Sequence, residues 1–224
     1  MAQPLVAAAC GAFEEWGVTH AGLCTFPDST KHVWLYQKFG FYPRFLTAIM
    51  AAPASALGGS ANSWSRYGEL PVSDRGAVEL ACRELTDLLY DGLDLGAEIR
   101  TVAARGLGET LLLWEGASRL AGFAVCHWGP ASEAGEDCCF VKFGAVRPGF
   151  GSDARFAALL DGGGMLAQAI GMPTVLAGVN LAREESYRYM VARGFRTRMH
   201  VVTMHKPNEC CYSRPGLYVL DDWR

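Results

Sequence analysis

The strongest constraint on how this chain folds is that one stretch of it occurs twice. Gly17 opens G-V-T-H-A-G-L-C-T-F and Gly171 opens G-M-P-T-V-L-A-G-V-N; each is followed by a helical stretch and a Gly-Phe pair, Gly40-Phe41 and Gly194-Phe195. Gly17 to Gly40 and Gly171 to Gly194 are both intervals of 23 residues, and Met50 and Met204, closing two apolar runs, keep the same displacement of 154. An Ala-rich segment precedes each opening glycine, residues 3–16 and 155–170. Self-similarity at a fixed displacement means one supersecondary unit used twice.

Each copy reads helix, strand, helix, strand. The first strand is short and apolar, residues 21–26 and 174–179, with turn residues on both sides. Asp28-Ser29 then caps a helix over 30–39, and Asn180 caps one over 181–193 through a side-chain oxygen on free amides. Gly40 and Gly194 suit the left-handed residue that ends a helix. Between the copies, residues 51–62 are small, Pro- and Gly-rich, and predict a linker. Beyond it the pattern predicts helices over 75–90 and 95–105, a hairpin of strands 110–114 and 120–127, and a strand over 138–146 that runs into Arg147-Pro148-Gly149-Phe150-Gly151.

Composition narrows the function. Half of the 224 residues are apolar and 19% are charged, which predicts a packed core. A net charge of −3 gives no footprint for nucleic acid or an anionic membrane. The longest apolar runs fall short of the roughly 20 residues that cross a bilayer, and the Ala-rich start lacks the basic residues of a signal peptide. The eight cysteines include two adjacent pairs, Cys138-Cys139 and Cys210-Cys211, and no C-x-x-C. Neighbouring cysteines bridge poorly, so the pattern predicts free thiols in a reducing cytoplasm and no metal site.

The segment Ser29-x-x-His32-x-x-Leu35-Tyr36-x-x-x-Gly40-Phe41 resembles the N/S-x-x-A-x-x-L-Y-x-x-x-G-F helix of the GNAT (GCN5-related) N-acetyltransferase superfamily. The order of elements after residue 62 resembles a complete domain of that family, and Lys142-Phe143-Gly144-Ala145-Val146-Arg147-Pro148 sits where its cofactor strand would be. The resemblance, of the tandem type, implies an α/β fold on a mixed sheet. Residues 1–50 would be the C-terminal half of one GNAT-like domain, 51–62 a linker, and 63–224 a complete second domain. It also implies acetyl transfer from acetyl-CoA, as co-substrate, to an amine of a small molecule or peptide. The alternative is a non-catalytic module of structural or regulatory role. A homodimer stays open.

The same resemblance places the candidate residues. Main chain at Ala145 and Val146 would hold the pantetheine arm, and Gly149, Gly151 and Ser152 the pyrophosphate, at a helix start with free amides. Asn180 and Tyr187 would stand near the sulfur, with Tyr187 the acid for the leaving thiolate. Tyr36 fits that acid position in the first copy, where a buried aromatic is the other reading; Met190 is its partner by direct offset, and Tyr189 points elsewhere. Glu98, Glu133, Glu136 and His127 are candidate bases, each readable as an ordinary charge or core histidine. Lys142 either lines the cleft or faces solvent, and Cys126 lacks an activating partner. The loop departs from the family's phosphate motif, since Gly151 replaces its Arg or Gln, Ala154 and Phe156 fill small positions, and Asp153 adds negative charge.

Overall fold

A computed structural model describes residues 2–59, 63–116 and 118–221. The first copy forms α1 (Ala2–Glu15), β1 (Ala21–Thr25), α2 (Thr30–Gln37) and β2 (Tyr42–Pro53). The middle of the chain gives β3 (Ser63–Arg66), α3 (Val72–Asp87), α4 (Gly96–Arg105), β4 (Gly108–Glu115), β5 (Arg119–Gly129) and β6 (Gly135–Val146). The second copy follows as α5 (Ser152–Ala169), β7 (Thr174–Asn180), α6 (Glu184–Ala192) and β8 (Arg196–Lys206), and the chain returns in a short β9 (Val219–Asp221). Gly40 and Gly194 both end their helices with positive φ, +83° and +87°, a region open to glycine at little cost. Among the described residues no helix is long and apolar enough to cross a membrane.

The nine strands among the described residues join one mixed sheet in the order β1-β8-β2-β7-β6-β5-β4-β3, with β9 beside β6. The two copies are interleaved: β2 lies between β7 and β8, and β8 between β1 and β2. Their register obeys the displacement of 154 seen in the sequence. Ala21 pairs with Lys206, and shifting each partner by 154 gives Val175 and Ala52, which also pair. Thr47 pairs with Val201, its own counterpart, so a local two-fold axis passes through that pair. Even the irregularities match, one between Pro43 and Leu46 and one between Ile49 and Met50.

Two expectations are corrected. Residues 51–59 are not a linker: β2 runs to Pro53, Ala54–Ala56 make a 3-10 turn, and Ala51, Ala52, Ala54 and Leu57 are buried. These residues are small because they pack under α5. A Cβ on Gly164 would stand 2.3 Å from that of Leu57, and one on Gly162 2.5 Å from the Trp64 ring. Residues 60–62 lie outside the described set. The helix expected from Asn180 begins at Glu184 instead, because Asn180 ends β7 and its Oδ1 accepts from Ala182 N at 3.0 Å in a turn. α2 and α6 are of nearly equal length, 8 and 9 residues.

The sheet buries both faces. On one side α5 and α6 cover Met50, Val141, Val175, Ala177 and Val179. On the other, α3 and α4 cover Phe123, Val125, Phe143 and Ala145, together with Leu217 and Val219 from the C-terminal segment. Burial of this kind contributes roughly 1.5–3 kcal/mol per large apolar side chain.

Candidate functional site

The site begins with a bulge. β5 and β6 are paired at Val125↔Phe143 and again at Cys126↔Val141, which leaves Lys142 as an extra residue on β6. A bulge bends its strand and adds twist. On its other side β6 runs parallel to β7 from Cys138↔Thr174 only as far as Val141↔Ala177. Past that point the two strands diverge, in the place where an acyl-thioester groove was expected.

The groove is filled by the chain itself. β9 pairs antiparallel with β6 through Phe143↔Asp221, Gly144↔Leu220 and Ala145↔Val219, and Val146 N donates to Tyr218 O at 3.3 Å. Ala145 and Val146, expected to offer main chain to a pantetheine arm, meet β9 instead.

A buried ion pair holds this strand in place. Arg183 and Asp221 are 0% and 1% exposed, with Nη2 donating to Oδ1 at 2.6 Å and Nη1 to Oδ2 at 3.3 Å. Tyr212 Oη also donates to Asp221 Oδ2, at 2.7 Å, and the Arg183 guanidinium lies 5.6 Å from the Tyr212 ring. Ser186 Oγ donates to Leu217 O and Gly216 N to Glu185 Oε2. Phe156, which occupies a small-residue position of the resembled loop, is fully buried with Tyr218 5.1 Å and Tyr189 5.8 Å from its ring. Arg183 and Asp221 carry no signal in the sequence, because a partnership across 38 residues leaves no local pattern.

The other expected cofactor contacts are mixed. Gly149 and Gly151 do adopt positive φ, +103° and +80°, and Gly151 stands at the N-cap of α5, ahead of Ser152. A Cβ on Gly149 would meet nothing, so the loop's outer side is open. Its inner side is bound by Arg155, which donates to the carbonyls of Arg147 and Phe150 and pairs with Glu115 at 2.6 Å. That guanidinium holds the Glu115 carboxyl below the usual carboxylate range. Asn180 is 1% exposed and gives its amide to Thr47 Oγ1 at 3.1 Å and Thr203 Oγ1 at 3.2 Å, so β2 has absorbed it.

The acid candidates are dispersed. Tyr187 is half-buried on α6 and packs on the cluster under α5. Met190, in register with Tyr36, is fully buried in that cluster. Tyr36 lies edge-on to Phe41 at 6.4 Å in a small cluster with Cys10 and Met204.

The base candidates, in contrast, converge. Buried His127 has Nε2 3.4 Å from Glu98 Oε1 and Nδ1 3.6 Å from Glu133 Oε1, while Lys142 Nζ reaches Glu133 at 2.9 Å. Three elements supply this cluster, α4, β5 and the bulge of β6 with its preceding loop. Glu136 is exposed. Cys126 is fully buried beside Cys139, and that thiol together with burial pushes it well above the ordinary range, which leaves it unreactive. Among the described residues no group of three or more His, Cys, Asp or Glu is placed to hold a metal. With β9 in its ladder, these residues do not accommodate a pantetheine arm.

No protein-family profile and no curated protein matches the sequence. The fold, however, matches solved structures over most of the chain. A GCN5-related N-acetyltransferase from Sphaerobacter thermophilus superposes with a TM-score of 0.56 at 17% identity, over 83% of this chain and 59% of that one. One from Anabaena variabilis gives 0.55 at 11%, over 95% and 53%. A GNAT-family acetyltransferase from Colwellia psychrerythraea gives 0.54 at 9%, over 83% and 63%. The chain thus spans less than two thirds of the length of these proteins. It has the GNAT acyltransferase fold.

Proposed function

We propose that this chain is an N-acyltransferase of the GNAT type whose thioester groove is kept closed by its own C-terminal strand. Its donor would be acetyl-CoA and its acceptor an amine of a small molecule or peptide, in a reducing cytoplasm that suits its eight free thiols. The observation that carries the reading is the parting of β6 from β7 beyond Val141/Ala177 with β9 in the opening. The cluster of Glu98, His127 and Glu133 supports it, since transfer to an amine needs a positioned side chain that takes up the amine's proton. Tyr187 remains the proposed acid.

Magnitudes set how closed the groove is. Leu217, Val219 and Leu220 are each at most 8% exposed, and exposing three such side chains costs about 5–9 kcal/mol. A donor of intrinsic micromolar affinity brings about −8 kcal/mol. The two nearly cancel before the ion pair is counted, so the intact chain should bind acetyl-CoA no better than millimolar. The full burial of Arg183 and Asp221 favours a second reading, in which β9 is permanent core and the module is non-catalytic.

Calorimetric titration with acetyl-CoA of the intact chain and of a chain ending at residue 215 tests both. Micromolar binding and N-acetylation by the shortened, folded chain only would uphold the closed enzyme. A shortened chain that stays folded and still ignores acetyl-CoA would leave the non-catalytic module. Tight binding by the intact chain would refute closure itself.

A further inference from the structure

A second concavity, of about 360 Å³, lies in the seam between the first copy, the α3–α4 connection and the C-terminal segment, within the size range of small-molecule sites. His20 and His205 stand edge to face in it with ring centres 4.8 Å apart. His205 is 2% exposed, and its Nδ1 donates to the Glu209 carbonyl at 2.7 Å. That bond fixes the tautomer and leaves the lone pair on Nε2. Neither this Nε2 nor either nitrogen of His20 has a hydrogen-bond partner among the described residues. A buried polar group without a partner is destabilising.

The fold does not require these histidines. The two-fold-related positions carry Ala51 and Thr174, and Ala51 sits in the same kind of ladder with no polar atom to satisfy. The walls define what the pocket accepts. The Tyr90 ring lies edge-on to His20 at 5.7 Å, and Val18 and Leu93 add apolar surface. Burial and, for His20, the neighbouring His205 hold both imidazoles below their ordinary value, so they are neutral at pH 7. Asp91 lines the pocket, and the charges of Arg44 and Glu209 reach His20 with opposite signs, so the walls present no single charge that would draw an ion. What remains is an apolar ring bearing a hydrogen-bond donor.

We propose that this pocket binds a small aromatic compound carrying a hydroxyl or amino group, whose hydrogen is donated to Nε2 of His205 as the His20 ring turns aside. Phenol is the simplest probe and toluene its control of equal shape without the donor. In ¹⁵N–¹H spectra of the intact chain, phenol should shift the His205 Nε2 resonance and bind about tenfold tighter than toluene. In His205→Phe the preference for phenol should vanish. Equal affinity for the two probes, shifts confined to other residues, or no binding up to the solubility of phenol would each overturn the proposal. The wild-type spectra decide it even where the variant misfolds, and no thioester is involved, so the result is independent of acyl transfer.

Discussion

Replacing Asp221 by Ala is the sharpest test of what holds the C-terminal strand. The substitution leaves the Arg183 guanidinium, now 0% exposed, without a counter-charge, and takes the acceptor from Tyr212 Oη. Breaking a buried pair from one side costs about 3–5 kcal/mol, most of it the desolvation of the stranded charge. For a chain of this size about 1 kcal/mol shifts the melting midpoint by roughly 2–4 °C, so a drop on the order of 10 °C is expected. Urea titration should show the same loss. Arg183→Met with Asp221→Leu replaces the pair by apolar groups of similar volume, and should restore most of the stability. A loss under about 1 kcal/mol in the single variant, or no recovery in the double one, would refute the claim that this pair secures β9.

Three further outcomes follow from other parts of the molecule. Gly164→Ala should destabilise by about 1–3 kcal/mol in denaturant titration, because its Cβ would fall 2.3 Å from Leu57 Cβ and 3.1 Å from Leu57 main chain. Thr47→Val should cost about 1–3 kcal/mol, since the buried Asn180 amide and the Thr203 hydroxyl both lose Thr47 Oγ1. His20 and His205 have folded values below 6.5, so above that pH both states hold them neutral. As pH falls below it the unfolded chain takes up protons first, and stability declines through the depressed values. In His20→Phe with His205→Phe, that part of the pH dependence of the urea midpoint should flatten.

What the sequence disclosed and what it concealed divide along physical lines. The repeat was legible because Gly17, Gly40, Gly171 and Gly194 all take positive φ, a demand that keeps glycine in place at fixed spacing. Apolar runs such as 138–146 were legible because a strand buried on both faces needs them. Ala51 to Gly58 misled because small residues under a glycine-bearing helix have the composition of a flexible connection. Asn180 misled because its side chain serves a turn after a strand, chemically the same act as capping a helix. The convergence of Glu98 with His127 could be suspected from neighbouring elements. The filling of the groove could not, since β9 spans three residues and its hold depends on Arg183, 38 positions away.

Backbone NOEs test the central claim most directly. Cross-strand contacts joining residues 143–145 to 219–221, with slowly exchanging amides on both strands, are the predicted result. Rapid exchange at 219–221 with no such contacts would mean that the groove stands open, and the account of a self-closed acyltransferase fold would be wrong.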